Sequence, residues 1–392
     1  MRMGHIAGAA VGVAIGVLIA ALPAFAEDGV SADKIAFGQA AALAGPAAAL
    51  GQGMRDGLLA AFDEANKAGG VKGHKLDLIS VDDGYEPGKS ITAAKKLISD
   101  DKVFALVGSV GTPTSAAVQP IATEAAVPFI GAFTGAEFLR DPYNPGVVNV
   151  RASYFQETET MVEHLTKDLG VTRIAIFYQD DAFGQAGLTG VKRALDKRHM
   201  TLVAEGTYER NTTAVKGALL SIMKGKPEAV IMIGAYQPCA AFIKLAHQVK
   251  LDATFVNISF VGSDALAKEL GPDAAGVVIT QVVPLPEDTS IDLVKRYQAA
   301  LKASKPDAKP GFVSLEGYMV GRLVIAALDK VQGDITRKAL LDAITKIGTF
   351  DLGGVKLEYS ASSNRGSSQV FLTVLQSDGT FKAVEKLTKA SG

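Results

Sequence analysis

The chain has 392 residues, of which 48% are hydrophobic and 21% charged, and its formal net charge is −1. That length admits two domains with a core each, and the composition is that of an ordinary soluble globular protein. A charge so near zero, with no block of like charges, excludes a surface built to hold nucleic acid or an anionic membrane.

At the amino end Arg2 precedes an apolar run from Ile6 to Leu22, and Ala24-Phe25-Ala26 closes it with small residues at the two positions a signal peptidase reads. Residues 1–26 are therefore expected to be a signal peptide cut after Ala26, leaving a mature chain exported and free in solution. No cysteine stands near the cleavage point to carry a lipid, and no later run approaches the roughly 18 apolar residues of a membrane span. The one cysteine, Cys239, allows no internal disulfide and sits in an apolar helical pattern, as a buried small residue would.

From Lys34, KIAFGQAAAL reads as a strand broken by Gly45-Pro46, and Leu50, Met54, Leu58 and Phe62 then recur at helical spacing until Gly69-Gly70. KLDLISVDD from Lys75 is a second strand, and Glu86-Pro87-Gly88 opens a second helix. The stretch Val103 to Arg140 repeats the rhythm twice: an apolar run, a loop with Ser109, Thr112, Thr114 and Ser115, a helix, then VPFIGAF ending in Thr134-Gly135-Ala136-Glu137. Strands alternating with helices of about 12 residues imply a parallel sheet with right-handed crossovers. Loops leaving the carboxyl ends of such strands are where ligands sit. Hydroxyls and free N–H groups at two neighbouring helix starts suit a carboxylate or another small anion.

After Val150-Arg151 the pattern begins again with RIAIFYQDD, TLVAEGTYE, EAVIMIGAY, TFVNISFVG and GVVITQVV, separated by helices. Beyond Pro286 three helices follow, then strands at GVKLEYS, QVFLTVLQ and TFKAVEKL. The helices are expected to pack back on the first unit and the last strands on the second. Lobe 1 then comprises residues 27–150 and 285–359, and lobe 2 residues 151–284 and 360–392, with three hinge crossovers near Val150–Ser153, Val283–Leu285 and Ser360–Ser368. The fold class expected is α/β, two Rossmann-like lobes of parallel sheet flanked by helices.

The inventory of catalytic motifs is negative. The five histidines are isolated, and neither a GxSxG elbow nor a phosphate-binding P-loop occurs, so no metal or other cofactor is expected. G51-Q-G53-M-R-D-G57 has one residue too many for a dinucleotide loop and does not directly follow its strand. Asn211-Thr212-Thr213 spells a glycosylation sequon but reads better as the cap of a helix near Thr213. Tyr178, Phe183 and Tyr236 stand at carboxyl ends of second-unit strands, where three aromatics could form the wall opposite the hydroxyls. A cleft with donors on one wall and rings on the other suits a small molecule with an anionic head.

These segments resemble a known family. The apolar leader, AALAGPAAALGQGMRDGLLAAFDEANKAGGVKGHKLDLISVDDGYEPGKS, VGSVGTPTSAAVQPIATEAAVPFIGAFTGAEFLR and RIAIFYQDDAFGQAGLTGV are together similar to the periplasmic leucine/isoleucine/valine-type binding proteins of ABC importers. The resemblance covers essentially the whole mature chain. It implies the type I periplasmic-binding fold, with a ligand enclosed between two lobes, no enzymatic activity, and delivery to the membrane permease subunits of the importer by a monomer.

Carried over by residue, the resemblance puts Thr112 at the ligand's α-carboxylate, with Ala132 and Thr134 as further donors and Ser109 on the same loop. Phe183 and Tyr236 stand where the family has second-lobe aromatics. Two positions depart from the pattern. Leu50 replaces a frequent Tyr, and Ser259 stands where an acid pairs with the ligand's ammonium, so an amino acid is not assured. Tyr85 and Gly111 occupy the positions of the family's first-lobe disulfide. If an ammonium is bound, Asp180, Asp181 or Glu316 must pair with it, since a buried unpaired cation is costly. The expectation is therefore a small carboxylate with an apolar or aromatic body, and an amino acid only if one of those acids takes the pairing. A sensor subunit for a receptor remains the alternative that uses the same closed state, and an exported enzyme is the alternative from another class.

Overall fold

The structure, a computed structural model, describes residues 27–388 together with Met1, Gly4 and His5. The rest of the expected signal peptide, with its cleavage point, and residues 389–392 lie outside the described residues.

The first unit runs β1 (Lys34–Ala41), α1 (Ala48–Lys67), β2 (Lys75–Asp82), α2 (Pro87–Lys95), β3 (Ala105–Val107), α3 (Thr112–Glu124), β4 (Phe129–Ile130) and β5 (Val147–Val148). The second runs α4 (Tyr154–Lys167), β6 (Ile174–Gln179), α5 (Ala182–Asp196), β7 (Ala204–Tyr208), α6 (Lys216–Lys224), β8 (Ala229–Ile233), α7 (Tyr236–Gln248), β9 (Thr254–Asn257), α8 (Ser263–Leu270) and β10 (Val278–Gln281). The remainder is α9 (Asp292–Ser304), α10 (Phe312–Lys330), α11 (Arg337–Ile347), β11 (Thr349–Asp351), β12 (Lys356–Ser360), β13 (Ser363–Gly366), β14 (Phe371–Leu375) and β15 (Phe381–Val384).

The first sheet has order β2-β1-β3-β4-β5 and is parallel throughout. In the second, β10-β9-β8-β6-β7 are parallel, and β14 and β15 add to its edge antiparallel, in the order β15-β14-β10. Strands buried along their whole length, such as IAIFYQ and AVIMI, are what a sheet covered by helices on both faces requires. β11, β12 and β13 form a small antiparallel sheet of their own.

α10 lies along α1, and the approach is close enough to demand glycine: a Cβ on Gly57 would stand 1.9 Å from the Ser314 carbonyl oxygen, and one on Gly317 2.3 Å from that of Met54. A Cβ on Gly51 would stand 1.9 Å from the Ala42 carbonyl oxygen. The glycine run that faintly suggested a dinucleotide loop thus serves backbone-to-backbone packing. Two chain crossings between the units run side by side. Asn149 donates its N–H to the Asn364 carbonyl (2.9 Å), Ser367 its N–H to that of Val150 (3.0 Å), and the Tyr359 hydroxyl donates to the Asn149 carbonyl (2.8 Å). Gly366, at φ +75°, leaves room for that contact.

Two local expectations differ from the structure. The strand expected through TFVNISFVG ends at Asn257, and Ser259–Val261 form a 3-10 turn, because the Glu157 carboxylate takes both the N–H and the hydroxyl of Ser259. The helix expected from Thr213 begins at Lys216 without a side-chain cap. Asn211 is engaged elsewhere, donating to the Gly84 carbonyl and to Glu86 of the first unit. Among the described residues no helix is long and apolar enough to cross a membrane, and no cluster of His, Cys, Asp and Glu could hold a metal.

Candidate functional site

The loops after β3 and β4 lie side by side, because Phe133 donates its N–H to the Ser109 carbonyl at 2.7 Å. This brings the Thr112 and Thr134 hydroxyls to 2.7 Å from each other, both fully buried. Thr134 also accepts the Ala136 N–H (3.2 Å), and its own N–H donates to the Ala132 carbonyl (2.8 Å). The Ser109 hydroxyl is buried and makes no hydrogen bond. Thr112 begins α3 behind Gly111, whose φ of +106° and contact with the Tyr85 ring exclude a side chain. The free N–H groups of that first turn add to the donors.

The second unit brings up Tyr154, at the start of α4. Its position follows from the capping box in which Ser153 and Gln156 exchange side-chain and backbone bonds. The Tyr154 hydroxyl is buried and faces the Thr134 and Thr112 hydroxyls without a hydrogen bond of good geometry to either. Burial pushes it up, while Arg151 and the hydroxyls of Thr134 and Thr112 hold it back. Its ring meets Phe183 at 5.5 Å, and Phe183 meets Phe260 at 4.5 Å. Phe260 reaches into the first unit, 5.3 Å from Phe133 and 5.9 Å from Tyr85. Five rings from both units thus adjoin the paired threonines.

Beside them lies a buried charge cluster. Arg151, in the first crossing, lies with its guanidinium over the Phe133 ring at 4.7 Å. Its Nη2 stands 3.7 Å from Glu157, its Nε 3.6 Å from Glu316, and Nη2 donates to the Ser259 hydroxyl. Arg151 Nε and Nη1 make no hydrogen bond. Glu157 accepts from the Ser259 N–H (3.0 Å), the Ser259 hydroxyl (2.9 Å) and Thr280 (2.6 Å). Burial pushes Glu157 up against the pull of Arg151, and pushes Glu316 up to about 7. Burial alone would lower Arg151, but the two carboxylates more than compensate and keep it charged.

The structure therefore assembles Ser109, Thr112, Ala132, Thr134, Phe183, Ser259 and Glu316 around one region. Leu50 and Tyr236 form a separate contact across the units: the Tyr236 hydroxyl accepts the Ala49 N–H at 3.4 Å, and Leu50 packs on Gly262. Of the other acids considered for an ammonium, Asp180 is exposed, and Asp181 caps α5 and is held by Arg210 at 2.8 Å. Sequence reasoning missed Arg151, Tyr154, Glu157, Tyr85, Phe133 and Phe260. A charge inside the apolar crossing VVNVRASY was the available signal for Arg151. A groove of 1360 Å³ passes Leu50, Gly262 and Val313, but it is lined by charges of both signs and holds none of the unpartnered buried groups.

Residues 34–380 match the family described as periplasmic binding protein. The chain belongs to that family. This binding protein is 29% identical over 326 residues to a Leu/Ile/Val-binding protein homolog of Brucella melitensis, covering 81% of this chain and 86% of that one. It is 24% identical over 338 residues to the leucine-, isoleucine-, valine-, threonine- and alanine-binding protein of Pseudomonas aeruginosa, covering 84% and 87%. A solved structure, a possible leucine/isoleucine/valine-binding protein from Rhodopirellula baltica, superimposes with a TM-score of 0.87 at 39% identity, covering 93% of this chain and all of that one. The fold is that of the type I periplasmic binding proteins, and the role is solute binding rather than catalysis.

Proposed function

We propose that this binding protein is the solute-capturing component of an ABC importer. It would be exported with cleavage after Ala26, close its two lobes, 27–150 with 285–359 and 151–284 with 360–392, around a small carboxylate-bearing ligand, and deliver that ligand to the permease subunits. The observation that carries this reading is the donor surplus at the junction of the units. Tyr154, Ser109 and two nitrogens of Arg151 are buried without a hydrogen-bond partner, next to the Thr112–Thr134 pair. Buried polar groups are almost always paired, so a site lined by unpaired donors suits an acceptor-rich ligand such as a carboxylate. The five surrounding rings suit an apolar or aromatic body. Relatives named for leucine, isoleucine and valine agree in ligand size and in the carboxylate.

A thermal-shift screen of amino acids and organic acids tests this reading. Carboxylates are expected to raise the melting temperature and the corresponding primary amides and alcohols to leave it unchanged. Stabilisation by sugars or polyamines, with none by carboxylates, would contradict it.

A further inference from the structure

Carboxylate capture alone does not explain why two buried acids flank Arg151. The arginine is fully buried, over the ring of Phe133, and flanked by carboxylates from two sides, Glu157 of α4 and Glu316 of α10. A ligand carrying both carboxylate and ammonium would need an anionic acceptor of its own. Glu157 has none to spare, since its oxygens already take three hydrogen bonds and face the guanidinium. Glu316 instead faces Arg151 Nε at 3.6 Å, and the guanidinium there would repel a second cation. On its remaining edge Arg151 presents Nη1, a donor without a hydrogen bond or a facing acid, alongside the buried hydroxyls of Tyr154 and Ser109. The cluster thus supplies its own cation and offers the ligand donors.

Building on the carboxylate reading above, we propose that Arg151 determines specificity by filling the place of a ligand's ammonium, so that the protein selects carboxylic acids that lack an α-amino group over the matching amino acids. The charge count agrees. With Glu316 pushed up to about 7 by burial, the guanidinium and Glu157 form a neutral pair, and an incoming carboxylate favours the protonated form of Glu316. The charged groups facing Glu316 are Arg151, Glu157 and Arg140.

The test is calorimetric titration of the mature protein with matched pairs: phenylalanine with phenylpropionate, tyrosine with hydroxyphenylpropionate, leucine with isocaproate. The acid of at least one pair is expected to bind ten-fold or more tightly than its amino acid. In Arg151→Met that ratio should collapse toward one, while Arg151→Lys should keep part of it. A merely structural arginine would weaken both members of a pair alike and leave the ratio unchanged. If Arg151→Met does not fold, the wild-type ratios decide. A ratio near one, or tighter binding of the amino acid, overturns this proposal while leaving carboxylate capture intact. Binding of neither member of any pair overturns both.

Discussion

The two threonine hydroxyls at the heart of the site bond to each other at 2.7 Å, which makes them a coupled pair. Thr112→Val removes a donor to the ligand carboxylate and is expected to weaken binding by about 1–3 kcal/mol, as loss of a hydrogen bond to a charged group does. Thr134→Val should do the same. The double variant should lose less than the sum, because each single change already frees the other hydroxyl, and titration of all three variants measures this. Glu316 gives a pH signature. Burial pushes its carboxyl up to about 7 from an ordinary 4.5, so the folded form holds a proton that the unfolded chain releases. Stability is therefore fully present below about 4.5 and falls as pH rises toward 7, with the slope set by the protons bound in each state. Asp83 and Asp264, both pushed up to about 6 by burial, act in the same direction. The melting temperature of Glu316→Gln should accordingly fall less between pH 5 and pH 7.5 than that of the wild type, and parallel curves would show that Glu316 does not titrate with a raised pKa in the folded protein. At this scale the hydroxyls were legible in the sequence, because they follow apolar runs at two helix starts. Arg151 and Glu157 were not, because only the fold brings residues from a crossing and from α4 against Ser259 and Glu316.

Among the elements, the α1–α10 pair depends on glycine. With a Cβ at Gly57 only 1.9 Å from the Ser314 carbonyl oxygen, Gly57→Ala must push the helices apart, and a loss of about 1–3 kcal/mol is expected by denaturant unfolding. Arg210, on the loop after β7, bridges Asp181 at 2.8 Å and Glu86 of the first unit at 2.9 Å. Being partly exposed, this contact is worth little to stability, but it spans the two units and opposes their separation. Arg210→Gln is expected to speed ligand release a few-fold at low salt. The difference should shrink at about 1 M salt, where screening acts within about 3 Å, and stopped-flow dissociation would record both. The strands and helices themselves were readable from their periodicity. The early end of β9 was not, because it is imposed by the distant Glu157 carboxylate and leaves no mark in TFVNISFVG.

For the whole molecule, alternating strands and helices indicated the two sheets, and the change to a helical tail beyond Pro286 led to the expectation of three crossings between them. What the sequence could not display is how the sheets face each other. The contacts between them include Phe260 against Phe133 and Tyr85, Asp264 accepting the Phe312 N–H at 3.1 Å, Tyr236 at Ala49, Asn211 at Gly84, and Arg210 at Glu86. On the proposed reading, these contacts part to admit a ligand and re-form around it. The central claim is that the ligand is held by closure, with neither unit binding alone. Small-angle X-ray scattering of the mature protein, without ligand and saturated with the tightest carboxylate from the screen, tests it most directly. The radius of gyration should be smaller in the saturated sample, and an unchanged radius at proven saturation would mean that the ligand is held without closure.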